Sequence, residues 1–194
     1  MQIRFAHILW AGLFLLTACT YHKVNLMGSP STPFHHLENK LTKHKKVYGL
    51  EKVMFDTHVT YFTPELRELY VDEYANIFDL SEPEKEAMLA QEIKDAQEYD
   101  DFYIAHFASE RGYQNINEQS ETKRIWAIRL DDVGSELRPL SIEPLRRSEQ
   151  QQYFFPHMDG FSKLYKVRFR KTTSQEKHLV MTSPARTIEF DWNF

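Results

Sequence analysis

Two stretches of this chain alternate apolar and charged side chains with a period of two, and that pattern constrains the fold more than any other feature. Tyr165, Val167 and Phe169 oppose Lys166, Arg168 and Arg170, while Ile188, Phe190, Trp192 and Phe194 oppose Glu189 and Asp191. Successive side chains of a strand point to opposite faces, so each stretch reads as a half-buried β-strand. Residues 53–62 repeat the pattern, with Val53, Phe55, Val59 and Tyr61 on one face and Asp56, His58 and Thr60 on the other. Shorter runs follow at 102–108, 124–130, 152–155 and 178–182, separated by polar turns. In one such turn, Asp131-Asp132-Val133-Gly134, the glycine is expected to supply a positive φ. Many short alternating strands predict a mainly β fold, a single antiparallel β-sandwich of immunoglobulin-like type.

Helical signals interrupt the strands once. Thr63-Pro64-Glu65 offers an N-cap, a proline at the first helical position and an early acid. Leu66, Leu69, Tyr70, Tyr74, Ile77 and Phe78 then recur at helical spacing. A second start lies at Ser81-Glu82-Pro83-Glu84, where Ser81 and Glu84 can form a capping box. Its helix is expected to run to about residue 98 and to bury Leu89, Ile93 and Ala96. Residues 63–101 hold 13 acids against three bases, a net charge of −10, whereas residues 102–194 hold 14 bases against 12 acids. The expectation is an acidic two-helix insert, at about 63–99, after the first strand. With 42% hydrophobic residues and a net charge of −4, composition excludes a disordered chain and gives no electrostatic case for a nucleic-acid partner.

The single cysteine, Cys19, forbids an intrachain disulfide and any cysteine-rich metal site. It follows a short basic start with Arg4 and an apolar run, 5–16, too short to span a membrane but of signal-peptide length. The segment ending Leu16-Thr17-Ala18-Cys19 resembles the signal and lipobox of bacterial lipoproteins. That resemblance covers the first nineteen residues only. It implies removal of residues 1–18, attachment of lipid to Cys19, and a mature chain with 23 basic and 28 acidic residues. By the same resemblance, Thr20 in place of an aspartate favours the outer membrane, facing the periplasm, in a Gram-negative cell. Two or three acyl chains anchor firmly, where one chain binds only marginally.

Residues 19–46 read as the lipidated cysteine and a flexible tether, spanning roughly 28 Å as a coil, with 47–194 as the folded domain. The basic end of that tether, Lys40, Lys43, Lys45 and Lys46, reads as a solvated run or as a contact to anionic headgroups.

No motif assigns a chemistry. His35, His36 and His44 fall in the expected tether, where nothing would fix ligand geometry, so no metal and no cofactor is expected. No catalytic residue is assigned either: the chain lacks a Gly-x-Ser-x-Gly elbow, and adjacent acids such as Asp100-Asp101 point apart. The aromatic clusters Tyr61-Phe62 and Tyr153-Phe154-Phe155-Pro156 read as core or as a stacking platform. Two surfaces stand out for partner contact. One is the acidic helix start, Glu82, Glu84 and Glu86; the other is the line of cations Lys166, Arg168 and Arg170. Those cations read either as a patch for an acidic partner or as a sheet face paired across strands, with Glu189 and Asp191 as partners if the strands adjoin. The functional expectation is a non-enzymatic binding, adaptor or assembly module, held at the membrane by lipid and meeting an envelope protein. The alternative is a periplasmic hydrolase acting on envelope polymers, which would need a deep pocket lined by His58, His106 or Asp131.

Overall fold

The alternating stretches are strands. The computed structural model describes residues 31–117, 124–132, 134–157 and 159–194. Among these residues nine strands form two antiparallel sheets, accompanied by four α-helices. The elements run α1 (Pro33–Leu41), β1 (Thr42–Tyr48), β2 (Val53–Tyr61), α2 (Pro64–Phe78), α3 (Glu82–Glu98), β3 (Tyr99–Ala108), β4 (Ala127–Asp132), β5 (Ser135–Leu137), β6 (Ser141–Leu145), α4 (Glu149–Phe154), β7 (Lys163–Arg170), β8 (Lys177–Thr182) and β9 (Thr187–Trp192). The first sheet has the order β1-β2-β3-β7-β6 and the second β5-β4-β8-β9.

Period-two alternation explains how the first sheet covers two faces. Phe55, Val59, Phe102, Ile104, Val167 and Phe169 belong to one buried cluster together with Leu130, Leu179, Met181, Ile188 and Phe190 of the second sheet. Aromatic pairs mark that cluster: the rings of Phe102 and Trp192 lie 5.4 Å apart, and Trp192 Nε1 donates to the Leu41 carbonyl at 2.6 Å. On the opposite face, Ala105 and Leu164 join a second cluster with Phe34, Leu41, Phe62, Leu66, Phe154 and Phe155. Helices cover that face because their apolar stripes have nowhere else to be buried.

Local signals set the helix ends. Thr63 caps α2 by accepting from the Leu66 amide at 3.2 Å, and Glu84 Oε2 accepts from both the amide and the hydroxyl of Ser81 at the start of α3. Gly134 has φ 72° in the turn joining β4 to β5, as the turn chemistry requires.

Four expectations are corrected. The segment assigned to a flexible tether contains α1 and β1, with Phe34 and Leu41 buried in the helix-side cluster. It escaped notice because β1, Thr-Lys-His-Lys-Lys-Val-Tyr, is an edge strand, and lysines on an edge discourage pairing with other chains while erasing the apolar alternation. The two-helix insert therefore follows the second strand. Residues 152–155 are not a strand: α4 runs to Phe154. Finally, α3 buries Ala96 but leaves Ile93 42% exposed.

Candidate functional site

The start of β3 organises a dense cluster of charged side chains. Adjacent side chains on a strand diverge, so Asp100 and Asp101 serve different faces. Asp101 is fully buried on the helix side. It accepts from Arg67 Nη2 at 2.8 Å and from Arg168 through Nε at 2.8 Å and Nη2 at 2.7 Å, with Lys166 Nζ 3.4 Å away. Arg67 is itself buried, and it continues to Glu92 at 2.6 Å and to the Phe62 carbonyl. Arg168 also pairs with Asp95 and lies over the Tyr99 ring, 4.3 Å from its centroid. Burial alone would raise the pKa of Asp101. The Arg168 hydrogen bonds and the charges of Lys166 and Arg67 outweigh burial and hold the carboxyl below its ordinary value.

Asp100 faces the other way and meets a second set of donors. Tyr61 Oη donates at 2.7 Å, Lys171 Nζ at 2.9 Å, the Thr172 amide at 2.9 Å and the Thr172 hydroxyl at 2.8 Å, while Lys177 Nζ stands 3.4 Å away. Burial opposes its ionisation; the Thr172 amide, Lys171 and Tyr61 prevail, and its pKa is lowered. Burial also lowers the pKa of Lys177, against the pull of Asp100.

Beside this floor opens a cleft of about 670 Å³, within the usual size range of small-molecule sites. Its walls come from the end of α1, the end of β2, the start of α2, the loop 171–175 and Phe194. Leu37, Leu41, Pro64 and Phe194 supply apolar surface, whereas Lys40, Lys171 and Lys177 supply positive charge against Glu65. Nothing local in the sequence announces this site, because its walls run from Leu37 to Phe194 along the chain and meet only when the sheets form.

The residues singled out from sequence fall elsewhere. Glu82, Glu84 and Glu86 lie exposed at the start of α3, with Glu84 committed to the cap. Lys166 and Arg168 turn to Asp101, and Arg170 is exposed. Their pairing with Glu189 and Asp191 does not occur: β7 lies between β3 and β6, while β9 is in the other sheet, where Asp191 meets His178 at 2.6 Å. Cys19 lies outside the described residues. His106 is buried; its Nε2 donates to the Tyr113 carbonyl at 3.1 Å, its Nδ1 accepts from Thr57, and burial pushes its pKa down to about 4. Asp131 pairs with Arg129 and with His178. The cleft is lined by none of His58, His106 and Asp131.

Among the described residues, His44, Asp56 and His58 are placed to hold a metal, their ligand atoms lying within 4.8 Å of one another. The sequence reading set His44 aside as tether; β1 fixes it. No helix among the described residues is long and apolar enough to cross a membrane. Comparison with protein-family models, with curated proteins and with solved structures returns no match.

Proposed function

We propose that this chain is a lipid-anchored cell-envelope protein that works by binding rather than catalysis, taking an anionic ligand with an apolar body into the cleft beside Lys40, Lys171 and Lys177. The observation that carries the reading is the composition of the cleft: in a chain of net charge −4, Lys40, Lys171 and Lys177 outnumber the single lining acid, Glu65, in a space that also presents Leu37, Leu41, Pro64 and Phe194 beside the polar loop 172–175, with Lys171 and Lys177 shared with Asp100 behind the wall. Asp100 contributes no free acid or base, since donors from Tyr61, Lys171 and Thr172 occupy its oxygens. The sealed position of His106 likewise weighs against the hydrolase alternative.

We further infer that the two sheets pack face to face as a β-sandwich with helices over one outer face. The cluster shared by both sheets and the contacts of Trp192 with Phe102 and Tyr61 support this. Lipid attachment at Cys19 rests on the sequence resemblance. Only residues 20–31 separate that cysteine from the Thr32 cap of α1, a reach of at most about 40 Å when fully extended. The cleft wall formed by α1 is then held near the headgroups, where anionic amphiphiles concentrate. A protein partner in the envelope fits the α2–α3 surface, where Ile77, Phe78 and Ile93 are exposed among acids.

Calorimetric titration with dodecanoate tests the cleft. Dodecanoate is expected to bind, dodecyltrimethylammonium is not, and Lys40→Glu combined with Lys171→Gln should weaken dodecanoate about tenfold, equivalent to about 1.4 kcal/mol. Equal binding of the two amphiphiles would refute an anion-selective cleft.

A further inference from the structure

A column of three imidazoles stands apart from the cleft, on the helix side of the first sheet. His44 of β1 is directly opposite His58 of β2, and the next rung on the same face pairs Lys46 with Asp56. Side chains directly opposite across an antiparallel pair are close enough to act on one ligand, and the diagonal neighbour adds a third group. The rings of His44 and His58 stack with centroids 3.9 Å apart and planes 2° from parallel. His157, from the loop after α4, stacks on the other side of His58 at 4.8 Å and 11°.

Carboxylates surround this column. Asp56 Oδ1 lies 2.6 Å from His44 Nε2 and 4.0 Å from His58 Nδ1, while Lys46 Nζ holds the other oxygen at 2.8 Å. Glu38, 1% exposed, is fixed by the hydroxyls of Thr42 at 2.9 Å and Thr60 at 3.2 Å. Its Oε2 stands 3.6 Å from His157 Nε2, a buried nitrogen with no hydrogen-bond partner. Buried polar atoms are nearly always satisfied, so an orphaned imidazole nitrogen beside two other imidazoles calls for a ligand.

We propose that His44, Asp56 and His58, joined by His157, form a binding site for one divalent transition-metal ion of the zinc class. Nitrogen ligands with one carboxylate select such ions over magnesium or calcium, which prefer all-oxygen shells. Zinc bonds of about 2.0–2.1 Å in a tetrahedral shell place ligand atoms about 3.4 Å apart. The ligand atoms of His44, Asp56 and His58 lie within 4.8 Å of one another, so the site closes by drawing these three together about a metal, with His157 reaching it from the stacked ring beside His58. Lys46 Nζ, on the second oxygen of Asp56, orients that carboxylate towards the two histidines of the strand pair.

The test is a Co²⁺ titration of the untagged, detergent-solubilised full-length protein, followed by displacement with Zn²⁺. One Co²⁺ per chain should bind, with visible ligand-field absorption that Zn²⁺ abolishes. His44→Ala should weaken binding at least a hundredfold; its side chain is 44% exposed on an edge strand, so the fold is not at stake. His157→Ala should weaken binding at least tenfold. His178→Ala, on the other sheet, should bind as wild type. Absence of Co²⁺ binding, or His44→Ala or His157→Ala binding as tightly as wild type, overturns the site.

Discussion

The carboxyl groups of Asp100 and Asp101 leave β3 in opposite directions, and each ends among cations. Removing one partner from such a buried set leaves the others desolvated without compensation, which costs more than the pair itself contributes. Asp101→Asn is therefore expected to destabilise the protein by about 3–5 kcal/mol, measured by denaturant unfolding. The pH dependence has a definite sign. Both carboxyls are held below their unfolded value of about 3.9, so their contribution is complete above about pH 4 and is lost as pH falls through the lowered folded-state values. Wild-type stability should fall on acidification below pH 4, and Asp101→Asn should fall less steeply. Equal slopes for the two proteins would mean that Asp101 is not held ionised. At this scale the sequence was partly legible: the divergence of adjacent acids follows from strand geometry alone, but their partners Arg67 and Lys171 come from distant elements.

Elements with a strong period were readable and elements without one were not. β7 and β9 declare themselves because one face is buried and the other charged. β1 does not, since an edge strand carrying Lys43, Lys45 and Lys46 has only one neighbour to satisfy and little apolar surface to show. α1 has a capped start at Thr32 and Pro33, yet its nine residues bury only one side, and the segment 31–46 passes for a linker. The consequence is testable. Phe34 packs edge-on against Phe154 with centroids 5.3 Å apart and is 1% exposed. Phe34→Ala should cost about 3–5 kcal/mol in denaturant unfolding, the usual penalty for truncating a buried aromatic. A tether residue would cost nothing. The candidate metal site depended on the same element: His44 becomes a ligand only once β1 pairs with β2, so the cross-strand register, invisible in the sequence, creates it.

The whole molecule joins these parts. The apolar cluster shared by the two sheets, the helix-covered face and the cleft between α1, α2 and the loop 171–175 are built without any cross-link, so packing and buried ion pairs carry the fold. Because α1 belongs to that fold, residues 20–31 rather than 20–46 separate it from Cys19, and under the proposed lipidation this shorter connection would draw the cleft towards the membrane. The proposed address and the proposed ligand are thus linked, since a cleft for anionic amphiphiles would serve where such molecules are abundant. Intact-mass spectrometry of the protein extracted from the membrane fraction tests that link most directly. The account predicts a chain beginning at Cys19 and heavier than its amino-acid sequence by a diacylglyceryl group, with or without a further acyl chain, and predicts that Cys19→Ser loses both the cleavage and the added mass. A membrane-extracted protein that retains Met1, or that carries an unmodified Cys19, would contradict it.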